Sequence, residues 1–157
     1  MTWVHDQIYV AGGDHIPSTW ASFVNQTGIS AVLHLRPEKP TTFRGPMPDS
    51  FLWMDLVDES RAGLEDRWLA GSFIGENVEN GLRILLHSSL RLHRVRWTYV
   101  SYLIWRGGSV RASLREVEKK PWLAPYRTEE EAWEDFKGFV KVHQTDENSS
   151  STRVGEH

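Results

Sequence analysis

The sequence contains no cysteine. That absence excludes disulfides, thiolate zinc sites and iron–sulfur clusters together. No apolar run approaches the roughly 20 residues a membrane span needs. The first ten residues, MTWVHDQIYV, have neither the basic region nor the long apolar stretch of a signal peptide. A cytoplasmic location with no membrane partner is the expectation. Positive charge is not in excess either: 18 Lys and Arg against 21 Asp and Glu give a formal net charge of -3 and a pI near 6.2. There is thus no global basic field of the kind that drives binding to nucleic acid or anionic lipid, and any anion site must be local. No internal repeat, no interior linker and no cluster with metal-ligand spacing is present, so neither metal nor cofactor is expected.

What the chain does have is the composition of one ordinary folded domain. Its 157 residues are 39% hydrophobic and 25% charged, which fits a single core and excludes a disordered chain or a coiled coil. The eight tryptophans are read as core and cleft residues, since large aromatics supply buried area. Ile8-Tyr9-Val10-Ala11 before Gly12-Gly13 reads as a strand. Ser18 caps a helix over 19–27, closed at Gly28, and Ile29 to Leu35 is a buried strand. The proline-rich stretch 36–49 is a loop, and Phe51 to Val57 a further strand ending on Asp58-Glu59.

Helical periodicity covers Leu64 to Val78 and stops at Asn80-Gly81. Leu82 to His87 is then a strand of the kind buried in a parallel sheet. Helices follow from about Arg94 to Trp105, from Ser109 to about Lys119, and from about Thr128 to about Val142. This alternation predicts an α/β domain over 1–142, a central mostly parallel sheet flanked by helices, with a disordered C-terminal tail over 143–157. In such sheets the ligand sits beyond the carboxyl ends of the strands. That directs attention to the residues after Leu86.

There the run Leu85-Leu86-His87-Ser88-Ser89-Leu90-Arg91-Leu92-His93-Arg94 joins a buried strand to a long helix. Such a turn aims backbone N–H groups and the positive end of a helix at one point, a cradle for a phosphate or another oxyanion. Arg94 at the helix start adds a planar fork that can hold two of its oxygens.

His87, Ser88, five further residues and Arg94 resemble the H-C-x-x-G-x-x-R signature of the cysteine-dependent protein tyrosine and dual-specificity phosphatases, with Ser88 at the nucleophile's place and Arg91 at that of the loop glycine. Upstream, Phe51 to Asp58 looks like the family's strand that delivers a general-acid aspartate, which would be Asp58. Ile8 to Val10 and Val32 to Glu38 look like the corresponding runs of the small atypical members. The resemblance spans roughly 3–142 and implies the phosphatase fold, a phosphorylated protein or small phosphoester as ligand, and a binding loop of His87, Ser89, Leu90, Arg91, Leu92, His93 and Arg94. It also implies that His87 orients the loop. On its own Asp58 would read as a strand-end turn residue, and only the resemblance gives it the acid's role.

The departures bear on function. The family's thiolate is made by a helix N-terminus and nearby cations, forces that do not ionise a serine hydroxyl near neutral pH. Phosphate can still bind while the covalent step fails. Arg91 either adds charge at the mouth or, lacking glycine's freedom, distorts the cradle. Three readings of Ser88 follow: a substrate-trapping change, a natural binding-only relative, or an engineered serine hydrolase acting on activated esters. The last would use Ser88 as nucleophile, loop amides as oxyanion hole, His93 or His34 as base, and Asp58 or Glu59 as third member.

Overall fold

In the computed structural model the described residues are 2–12, 20–35, 48–56, 62–88, 93–120, 123 and 130–155. They build a five-stranded sheet and five helices. The strands are β1 (Thr2–His5), β2 (Ile8–Gly12), β3 (Ile29–Leu35), β4 (Ser50–Trp53) and β5 (Arg83–Ser88). The helices are α1 (Trp20–Thr27), α2 (Leu64–Glu79), α3 (His93–Trp105), α4 (Val110–Glu118) and α5 (Glu130–Gly155). The sheet order is β1-β2-β5-β3-β4, parallel except for the antiparallel β1–β2 pair.

β5 lies at the centre because its middle residues, Ile84, Leu85 and Leu86, are apolar toward both faces and fully buried. Side-chain alternation sorts the neighbours. Ile84 and Leu86 join Leu33, Leu35, Ile8 and Val10 in the large core built with α2 to α5. Leu85 joins Val32, Ala11 and Phe23 of α1 in a smaller cluster on the opposite face. The sheet is therefore covered on both sides.

Local signals end the helices where the sequence places them. Gly28 and Gly81 take positive φ angles of 73° and 78° after α1 and α2. Ser109 accepts from the Ala112 N–H at 3.1 Å to start α4. The expected Ser18 cap and most of the 36–49 loop lie outside the described residues.

Four boundaries differ from the sequence expectation. β1 is an additional strand: its turn through Asp6 and Gln7 carries no glycine, and the Gln7 carboxamide anchors it by donating to Val78 and Leu82 carbonyls at 3.1 Å each. β4 ends at Trp53 rather than Val57, where its pairing with β3 stops at His34. β5 runs one residue further than expected, to Ser88. α5 continues past Val142, where His143 stacks on Phe139 with ring centroids 3.9 Å apart and Gln144 donates to the Trp105 carbonyl at 3.0 Å.

Candidate anion site

The carboxyl ends of β2, β5 and β3 arrive side by side, with Gly12 and Leu35 both in register with Ser88. Ser88 is the last residue of the central strand and is 0% exposed. The chain then passes through 89–92 and enters α3 at His93. Arg94, in the first turn of that helix, is half-buried and reaches back to donate to the Leu35 carbonyl at 3.4 Å. Serine, arginine and the N-terminal end of a 13-residue helix thus meet at one edge of the sheet. Positive helix end and guanidinium together suit an anion.

The structure brings His87, Ser88 and Arg94 together and places His93 at the start of α3. Ser89, Leu90, Arg91, Leu92, Asp58 and Glu59 lie outside the described residues. The flanks of the Asp58 segment are described. On one side Met54 donates to the His34 carbonyl at 2.9 Å and Leu56 is buried. On the other, Ala62 is buried and its carbonyl accepts from Arg67 at 3.0 Å. Leu56, Ala62, Leu35 and Val95 share the large core, on the face to which alternation assigns Ser88.

Beside Ser88 lies a pair that motif reading does not find. His34 and His87 are cross-strand partners, each 1% exposed. Their Nδ1 atoms are 3.0 Å apart, with ring centroids 5.0 Å apart and ring planes inclined by 20°. A signal does exist in the sequence: β3 and β5 end in Val-Leu-His and Leu-Leu-His, and parallel register aligns the two histidines. Alternation puts this pair on the α1 face with Val32 and Leu85, whereas Ser88 follows Ile84 and Leu86 on the other face. His34 is thus directed to His87 and away from the serine, which removes it as a base for a Ser-His arrangement.

Among the described residues no group of three or more histidine, aspartate or glutamate side chains gathers as metal ligands. None of their helices is long and apolar enough to cross a membrane.

No protein-family model and no curated protein matches the sequence. Solved structures do. A structure of human DUSP28 superposes with a TM-score of 0.69 at 14% identity, covering 89% of this chain and 95% of that one. PTPMT1 in complex with PI(5)P gives 0.71 at 14% identity, covering 90% and 96%. The human tyrosine phosphatase-like serine/threonine/tyrosine-interacting protein gives 0.63 at 14% identity, covering 91% and 94%. These neighbours show that the chain has the fold of the dual-specificity and tyrosine phosphatases.

Proposed function

We propose that this domain binds phosphate, or a phosphorylated protein or small phosphoester, at the turn 88–94 with little or no phosphatase turnover. The observation that carries this reading is the placement of Ser88 at the buried end of the central strand, with Arg94 tied to the strand end beside it. Backbone N–H groups at the start of α3 and the Arg94 fork supply what a phosphate needs. Hydrolysis is disfavoured, because burial penalises a charged oxygen and a serine hydroxyl is a weaker nucleophile than a thiolate.

A ligand bound only by the native state raises stability by RT ln(1 + [L]/Kd), about 2.7 kcal/mol at 100 times Kd. Thermal melts in rising inorganic phosphate should therefore move upward in the parent and much less in Arg94→Ala. A melting temperature that ignores tens of millimolar phosphate in both proteins refutes the reading.

A further inference from the structure

Two buried imidazoles whose like nitrogens approach to 3.0 Å require one hydrogen between them. At neutral charge one ring carries it on Nδ1, and the other accepts there and keeps its own hydrogen on Nε2. The two histidines then hold opposite tautomers. An added proton can enter at the donor ring's Nε2 without disturbing the bond. A second would set two N–H groups head to head, so the pair takes up at most one while it remains joined. The buried cluster on that face, Ala11, Phe23, Ile29, Val32 and Leu85, is apolar, and burying an imidazole without a hydrogen bond is costly.

The end of β3 touches three parts of the site. The His34 ring holds His87, the residue before the end of β5. The Leu35 carbonyl holds Arg94, at the start of α3. The His34 carbonyl holds Met54, on the way to Asp58. We propose that His34 is a positioning residue of the anion site: by sharing one hydrogen with His87 it fixes the tautomer and ring orientation of the residue next to Ser88. The effect on ligand affinity rests on the phosphate-binding reading; the tautomers do not.

The test has two arms. In ¹⁵N-labelled protein, two-bond ¹H–¹⁵N correlations should show His34 and His87 as opposite tautomers at neutral pH, and the His87 pattern should become an average of both in His34→Leu. Inorganic phosphate should bind His34→Leu about tenfold more weakly than the parent, the size expected for one lost buried hydrogen bond. His34→Asn places a carboxamide atom near the old Nδ1 position and should restore affinity to within about twofold. Identical tautomers in the parent overturn the proposal. So does unchanged phosphate affinity in His34→Leu, or His34→Asn binding as weakly as His34→Leu. If His34→Leu does not fold, the parent tautomers and His34→Asn decide. If the parent itself binds no phosphate, the phosphate-binding reading fails separately. The tautomers still decide this one, since a His87 ring that keeps one tautomer without its partner overturns it.

Discussion

At the scale of single residues, one atom separates Ser88 from the thiol of the phosphatases it resembles. A thiol with an ordinary pKa near 8.5 is drawn to thiolate by a helix N-terminus and a neighbouring guanidinium, and both are in place here as the start of α3 and Arg94. The same field acting on a hydroxyl leaves it protonated. Replacing Ser88 by Cys, together with Arg91→Gly to return backbone freedom to the loop, should restore hydrolysis of an aryl phosphate. Adding Asp58→Asn to that variant should lower turnover by about 10²–10⁴, the usual contribution of a positioned acid. Steady-state rates for the double and triple variants check both steps. An inactive double variant, or one indifferent to Asp58, removes the family assignment of these side chains. The histidine-to-arginine spacing made Ser88 and Arg94 legible in the sequence. The burial of Ser88 was not, because it depends on β5 extending one residue beyond its apolar run, through pairing with Gly12 and Leu35.

Among the elements, α2 and α3 show how helix packing supports the site, since α3 carries Arg94 at its start and must be held against the sheet. Two glycines of α2 permit the approach. A Cβ at Gly71 would lie 2.8 Å from the Ser101 carbonyl oxygen, and one at Gly75 would overlap the Trp105 ring. The first contact is with α3 backbone and the second with a bulky ring already packed edge-on against Trp68, so neither is relieved by swinging a flexible side-chain tip. Gly75→Ala should therefore cost about 1–3 kcal/mol as an overpacking change. Gly138 of α5 has open space where its Cβ would be, and Gly138→Ala should instead stabilise by about 0.5–1 kcal/mol through helix propensity. Urea unfolding of the two variants against the parent reads the opposite signs. The periodic apolar residues from Leu64 to Val78 announced the helix. Which of its glycines faced a tryptophan could not be read there, because Gly75 and Trp105 are joined only by tertiary packing.

For the whole molecule, the sequence displayed the central β-α-β order because buried strands and amphipathic helices write different periods. It hid the two ends of the fold. β1 is short and has no glycine in its turn, and it is held by contacts distant in sequence: Gln7 to the end of α2, and the Tyr99 hydroxyl of α3 within 3.5 Å of the Val4 carbonyl. At the other end, α5 continues past Val142 into a stretch almost devoid of large apolar residues, and His143 and Gln144 are docked by ring stacking and one carbonyl rather than by an apolar stripe. Tyr99 makes the link to the first strand measurable. Burial, then the negative charge of Glu116, push its phenol up to about 12 from an ordinary 10.0. Between those two values the unfolded chain has released this proton and the folded chain retains it, so the folded state binds more protons and stability falls as pH rises. At about 1.4 kcal/mol per pH unit, the loss attributable to this one group is on the order of 2–3 kcal/mol by pH 12. Below pH 10 it contributes no slope. Tyr99→Phe keeps the ring and removes the titration, so its unfolding free energy, followed in urea from pH 9 to 11.5, should decline less steeply than the parent's above pH 10. Subtracting the two curves cancels the other tyrosines and the lysines. Parallel curves over that range would mean that the phenol ionises in the folded protein as readily as in the unfolded one, and that α3 does not close over the first strand.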